Sequence, residues 1–213
     1  MTKVSRDDIE LSGAQLNLEG QTTPRQASSV IVIRGATETL EVLLVKRNPA
    51  QRFMGGVWVF PGGAVDDHEG EGDEAHRAAG VRELEEEAAI IGVDAASLVK
   101  FSRWITPAEI TIRFDTHFFI ARLPQGAQPR VDGQECVDMG WFTPQGALDA
   151  HRDEKIVLVF PTIKHLEQLS RFASADDLLG YATGREVIAV QPKIIMSGEV
   201  ARIVLPGEPG FDE

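Results

Sequence analysis

The sequence predicts an α/β (α+β) fold: a mixed β-sheet sandwiched between helices, with an added helical segment toward the C-terminus. Three observations carry that prediction. Short β-branched apolar runs recur between about residues 29 and 60 and again from about 98 to 123, too brief for helices and bounded by turn residues. One long amphipathic pattern, from about Glu74 to Ile90, lies between them. From about residue 145 to 184 the periodicity is helical again.

The elements follow in order. Residues 1–26 are polar and mixed in charge and read as a loosely ordered lead-in, with a break at Thr22-Thr23-Pro24. Ser29 to Ile33 and Leu40 to Val45 are strands joined by a turn at Gly35 to Glu38. Val57-Trp58-Val59-Phe60 is a third strand, stopped by Pro61-Gly62-Gly63. Residues 66–73 form an acidic loop in which Asp73 is placed to cap the helix from Glu74. That helix carries an apolar stripe at Ala78, Val81, Leu84, Ala88 and Ile91, set roughly opposite Glu83, Glu86 and Glu87. Leu98 to Ile105 and Ile110 to Leu123 are strands, the second apolar enough to be central. Gly140-Trp141-Phe142 is a short strand. Helices follow from Thr143-Pro144 to about His151, from Ile156 to Phe172 and from Ala175 to Gly184. Val187 to Gln191 and Val200 to Leu205 are extended. No linker divides the chain, so 27–206 reads as one domain and 207–213 as a tail.

Bulk properties exclude several functions. A hydrophobic content of 43% in 213 residues suits an ordinary globular core. The single cysteine, Cys136, rules out an intrachain disulfide and a cysteine-rich zinc site, and reads as a buried thiol. No apolar run reaches the roughly 20 residues of a membrane span, and the first residues lack the apolar segment of a signal peptide. A cytoplasmic protein is the expectation. The net charge of −12 argues against nucleic-acid or membrane-surface partners. An anionic small molecule would need local positive charge, from metal ions or arginines.

The chemistry concentrates in Arg82-Glu83-Leu84-Glu85-Glu86-Glu87, which holds four glutamates in five positions. Glu83, Glu86 and Glu87 share one helical face, where they repel by a few tenths of a kcal/mol per pair. A bound divalent cation turns that repulsion into attraction, and an oxygen-rich cluster is what Mg²⁺ or Mn²⁺ prefers. Arg82 can hold a neighbouring carboxylate in one rotamer. The five histidines show no ligand spacing, and the three tryptophans read mainly as core.

This pattern resembles the Nudix hydrolase signature: a glycine, a glutamate, then Arg-Glu-apolar-any-Glu-Glu-any-Gly-apolar. Glu74 precedes Arg82 by seven intervening residues, and Phe60-Pro61-Gly62-Gly63 lies upstream, as is common in that family. Two departures stand out. Ten residues separate Gly63 from Glu74, where the signature has five, and Ala89 replaces its second glycine, leaving Gly92 as a candidate helix end. Arg47, Arg52-Phe53-Met54, Trp104-Ile105-Thr106-Pro107 and Arg113 to Phe119 are similar to the branch containing the animal peroxisomal coenzyme A diphosphatases and their bacterial relatives, a likeness covering about 28–206.

The resemblance implies cleavage of a nucleoside diphosphate linked to another moiety, with Mg²⁺ or Mn²⁺. By position, Glu86 and Glu87 would ligate metal, Glu83 would be a further ligand or the base, and the carbonyl of Gly62, beside the motif glycine Gly63, would complete the shell. Gly63 would also border the substrate, with Arg82 and Glu74 in support. Glu135, with Asp138 as the alternative, is the candidate for a later-loop carboxylate. Arg47 and Arg113 are candidates for holding a phosphate, although Arg113 suits an ion pair with Asp115 or another structural acid at least as well. Coenzyme A or acyl-coenzyme A is the favoured substrate. ADP-ribose, NADH or a nucleotide sugar is the alternative, and a non-catalytic nucleotide-sensing module is the alternative of another class. Many members of the family are dimers, so a homodimer belongs among the expectations.

Overall fold

The computed structural model describes residues 2–5, 16–17, 22–35, 39–51, 53–197 and 200–211. Most of the lead-in, the turn residues 36–38 and Arg52 therefore lie outside the described residues. The strands are β1 (Thr2–Ser5), β2 (Arg25–Arg34), β3 (Glu41–Arg47), β4 (Trp58–Val59), β5 (Gly62–Ala64), β6 (Val99–Ile105), β7 (Phe114–Arg122), β8 (Cys136–Phe142), β9 (Ala189–Val190), β10 (Lys193–Ser197) and β11 (Val200–Val204). The α-helices are α1 (Gly72–Ala88), α2 (Pro144–Arg152), α3 (Phe160–Leu169) and α4 (Ala175–Ala182).

The main sheet runs β4-β3-β2-β7-β6-β9, with β5 added to β2 and β8 to β3. It is mixed, as expected: β2 and β7 are parallel, whereas β3, β5 and β8 join antiparallel. Alternation along β2 explains the layers. Ile31 and Ile33 face a core shared with Phe118, Ile120, Leu166 and Leu178, closed by α2, α3 and α4. Val30 and Val32 face the other way, onto Leu43, Phe119, Leu84 and Ala88 beneath α1. Both faces are covered, so the central strands read as unbroken apolar runs. A small antiparallel sheet, β1-β11-β10, pairs Thr2–Ser5 with Val200–Val204. No helix among the described residues is long and apolar enough to cross a membrane.

Several expectations need correction. Pro61-Gly62-Gly63 is not only a stop: Gly62–Ala64 pairs with Ala27, Ser28 and Ser29 of β2. α1 begins at Gly72 behind Glu71, and Asp73 lies in its first turn, bonded to Lys100 rather than capping the helix. β7 begins only at Phe114, because the chain bends at 111–112 ahead of it. α3 starts at Phe160, since Pro161 needs the first helical turn, where its missing N–H costs nothing. β10 has no counterpart in the sequence reading.

The buried stripe of α1 is also rotated from the one expected. Ala75, Ala79, Leu84 and Ala88 are buried, but Ala78 is exposed and Ile91, beyond the helix, is 72% exposed. Glu83 and Glu87 belong to the buried side. The carboxylates flank the stripe instead of opposing it. Only Glu86 of the three stands in solvent.

α1 stops at Ala89, which adopts the left-handed conformation (φ 51°, ψ 32°) that the expected glycine would favour. Its N–H and that of Ile90 return to the carbonyls of Glu85 and Leu84, the bonds of a left-handed C-cap. Gly92 plays no part in ending the helix. A side chain in this conformation costs about 1–2 kcal/mol. Ala89→Gly is therefore expected to raise stability by about 1 kcal/mol, read as a higher urea midpoint at unchanged slope.

Candidate active site

The site forms where β5 meets α1. Two glycines permit the approach, each for its own reason. A Cβ on Gly62 would lie 2.4 Å from the Ser28 carbonyl oxygen, and one on Gly63 would lie 2.0 Å from Glu83 Oε1. The Glu83 carboxylate thus occupies the space that any other residue at position 63 would fill.

Glu87 is the most enclosed of the acids, at 2% exposed. Its Oε2 accepts the Gly62 N–H at 2.9 Å, which ties the helix to β5. Its Oε1 is buried without a hydrogen-bond partner. Arg47 Nη1, from the end of β3, stands 3.7 Å from Oε1, and Arg47 Nε is likewise buried without a partner. Burial pushes the Glu87 carboxyl up to about 7, assisted by the charge of Glu83 and opposed by the Gly62 N–H and Arg47. Burial also raises Glu83, against the pull of Arg82, and Glu86 and Glu135 push the same way. Cys136 is fully buried, and its thiol is raised by burial and by the adjoining Glu87.

Arg82 organises the helix end of the site. Nη1 donates to Glu83 Oε1 at 2.8 Å and to Glu86 Oε2 at 3.0 Å, while Nη2 reaches the Ala64 carbonyl at 2.9 Å. Nε donates to Glu69 Oε1 at 3.0 Å. These carboxylates hold the guanidinium well above its ordinary value, against the effect of burial. Arg82 is permanently charged in any case.

Glu135 stands in the exposed loop before β8, close enough for its charge to act on Glu83. Asp132 fixes that loop by accepting the N–H groups of Gln134, Glu135 and Cys136 at 2.8–3.0 Å. Asp138 takes the N–H of Met139 instead. The structure does not bring Arg113 to the carboxylates. It is buried, and its guanidinium donates to the carbonyls of Thr106 and Thr22. Asp115 pairs with Arg103, not Arg113. A cavity of about 510 Å³ lies beside the N-terminal half of α1, lined by His76, His117, Lys100, Arg103 and Asp73 but none of the clustered glutamates. Its cations are already paired, Lys100 with Asp73 and Arg103 with Asp115.

A family model described as the NUDIX domain matches residues 23–160, well over half of the chain. The chain belongs to the Nudix hydrolase family. It is 24% identical over 225 residues to putative nudix hydrolase 7 of Caenorhabditis elegans, covering 89% of this chain and 76% of the other. It is 30% identical over 120 residues to the human acyl-coenzyme A diphosphatase NUDT19, covering 54% of this chain but only 32% of that protein. Among solved structures it resembles a Nudix hydrolase from Alicyclobacillus acidocaldarius, with a TM-score of 0.66 and 26% identity over 76% of this chain and 97% of that one.

Within the Nudix signature the structure reassigns one residue. Glu74 is exposed and makes no hydrogen bond or ion pair among the described residues. The glutamate upstream of the helix that pairs with Arg82 is Glu69, whose side chain is 5% exposed. Five residues separate Glu69 from Gly63, the spacing of the signature, so the extra residues lie after this glutamate and not before it. Counting forward from Gly63 would have found it. Counting back from Arg82 selects Glu74. Arg82 and the Asp66 N–H hold the Glu69 carboxyl below the usual range, although burial opposes them.

Two measurements check this description. Glu69→Gln is expected to destabilise by about 1–3 kcal/mol, because it weakens a hydrogen-bonded pair with a charged, partly buried donor. Glu74→Gln should stay within about 0.5 kcal/mol in the same urea titration. The second measurement concerns Glu87. The folded protein keeps its carboxyl protonated up to about pH 7, against an ordinary value of 4.5, so ionising it makes stability fall as pH rises between the two. His117 and His165, each pushed down to about 4 by burial, act oppositely: their contribution is present above their ordinary 6.5 and lost as pH falls toward 4. Comparison with Glu87→Gln separates the two effects. Between pH 5 and pH 8 in metal-free buffer, the variant should gain about 2–3 kcal/mol relative to wild type.

Proposed function

We propose that this protein is a metal-dependent diphosphatase that cleaves a nucleoside diphosphate derivative, with coenzyme A or acyl-coenzyme A as the favoured substrate. The observation that carries the reading is Glu87 Oε1: a buried carboxylate oxygen without a geometric hydrogen-bond partner, with only the weakly donating Cys136 thiol adjoining the carboxylate, beside Glu83, in a cluster whose charges raise one another. Such an atom suits a cation, because an unsatisfied buried acceptor is costly. The donor set, all oxygen, suits Mg²⁺ or Mn²⁺. As placed, no three carboxylate, histidine or cysteine groups converge on one point among the described residues, and Glu86 is turned onto Arg82. Glu83, Glu86 and Glu87 would hold the ion with the Gly62 carbonyl, and Glu135 stands within reach of the same charge cluster.

A bound ion supplies charge neutralisation for the diphosphate, polarisation of P–O bonds and acidification of water. The chain supplies positioning, which phosphoryl transfer chiefly needs. The Gly62 N–H orients Glu87, and Arg82 fixes Glu83. Glu83, held by Arg82 and raised by burial, is the candidate to accept the proton of the attacking water. Among the described residues, Arg47 has a donor left over for a phosphate oxygen. The choice of coenzyme A rests on the likeness to the acyl-coenzyme A diphosphatases. ADP-ribose, NADH and nucleotide sugars remain the competing substrates.

The test is mass spectrometry of products from coenzyme A, acyl-coenzyme A, ADP-ribose, NADH and dinucleoside polyphosphates, with Mg²⁺ or Mn²⁺ present. Coenzyme A should yield 3′,5′-ADP and a phosphopantetheine, and chelation should abolish the reaction. Glu87→Gln and Glu83→Gln should each lower kcat on the order of 10²–10⁴-fold with the fold retained. A near-wild-type rate in Glu87→Gln would remove that residue from the site. Tight nucleotide binding without turnover at any divalent metal would favour a sensing module instead.

A further inference from the structure

Arg47 and Glu87 form an incomplete pair. At 3.7 Å, Nη1 of Arg47 is close enough to neutralise Oε1 of Glu87 but too far to hydrogen-bond it. Both sides are left wanting, since Glu87 Oε1 and Arg47 Nε are each buried without a partner. The contrast with Arg82 is direct: that arginine sits within 3.0 Å of acceptors on Glu69, Glu83, Glu86 and Ala64. The backbone of Arg47 is nevertheless fixed. Its N–H donates to Val57 and its carbonyl accepts from Gly56, at a register shift against β8. Its side chain is 21% exposed, while that of Glu87 is 2% exposed, so the arginine is the partner with a way out.

We propose that Arg47 is an exchangeable counter-ion. Without metal it lies against Glu87, and when a divalent cation takes Oε1 it is released toward the substrate's phosphate oxygens. The physical reason is charge. A dication at Oε1 and a guanidinium within a few ångströms repel strongly in a poorly solvated site, and among the described residues no second side-chain acceptor holds the guanidinium there. A diphosphate brought in with the metal offers Arg47 the paired oxygens that its fork geometry fits. Metal binding would thus both remove the arginine from the acid and present it to the anion. The proposal rests on the diphosphatase reading and deepens it.

Two binding experiments, neither using turnover, test the exchange. Mn²⁺ affinity is measured at pH 8.5 by the loss of its free-ion electron paramagnetic resonance signal, without substrate. Arg47→Gln should bind Mn²⁺ about tenfold more tightly than wild type, and Arg47→Lys within about twofold of wild type. A purely structural arginine would lower the melting temperature and leave Mn²⁺ affinity unchanged or weaker, which would overturn the proposal. In the second experiment, inorganic pyrophosphate is titrated in the presence of chelator. Glu87→Gln should bind it about tenfold more tightly than wild type because Arg47 is set free. In an Arg47→Gln background the same substitution should gain far less. An equal gain in both backgrounds would show simple loss of negative charge and sink the exchange. If wild type fails to bind Mn²⁺ at millimolar concentration, the metal reading fails along with the exchange. If wild type binds and only Arg47→Gln is unresponsive, the metal reading stands and the exchange alone is lost.

Discussion

The contact between β5 and α1 is the constraint on which the site depends. Two adjacent residues without side chains let a helix carrying carboxylates lie against a strand at backbone distance. Glu83 then fills the volume where a Cβ would be, and Glu87 reaches through to the N–H of Gly62. The acids are thereby drawn out of water while still near one another. Low solvation and like charge both raise the energy of the ionised forms.

Two arginines manage this excess of negative charge differently. Arg82 spends its donors on Glu69, Glu83, Glu86 and the Ala64 carbonyl, and so binds the acidic loop, the strand and the helix into one unit. It acts as fixed scaffolding. Arg47 contributes charge but little hydrogen bonding. Arg113 makes a third case, its Nε and Nη1 turned onto backbone carbonyls and away from the carboxylates. Residue type alone does not separate these three. What separates them is how many of their donors the fold has already used.

The layered fold was legible because its signals are local. β2 and β7 are continuous apolar runs that only a sheet covered on both faces accommodates, and Thr143-Pro144 announces a capped helix that the structure contains. The grouping of Glu83, Glu86 and Glu87 was legible from helical spacing. The burial of Glu83 and Glu87 was not. A helical wheel assigns charged residues to solvent, and only the glycines of β5, some twenty positions upstream, reverse that assignment. Glu69 was missed because an insertion can be placed on either side of a residue when only spacing is available. The left-handed Ala89 was missed for a different reason: packing from Leu84 and Ile90 overrides the preference of an alanine for right-handed backbone. Arg113 was misjudged because its partners are carbonyls, which leave no trace in side-chain identities.

The parallel pairing of β2 with β7 has a bearing on how the site comes into being. Arg25 to Ile33 align with Phe114 to Arg122, about ninety positions later in the chain. Ala27, Ser28 and Ser29 are the same residues that receive β5 on their other edge. A growing polypeptide can form the β2–β5 contact early, yet one edge of β2 stays open until residues beyond 114 have emerged. Contacts of such long sequence separation are slow to form, since loop closure precedes any reward from pairing. The floor on which Glu83 and Glu87 are buried is therefore a strand whose other edge is completed only by residues far later in the chain, so the setting of these acids is a property of the finished sheet and not of the signature helix alone.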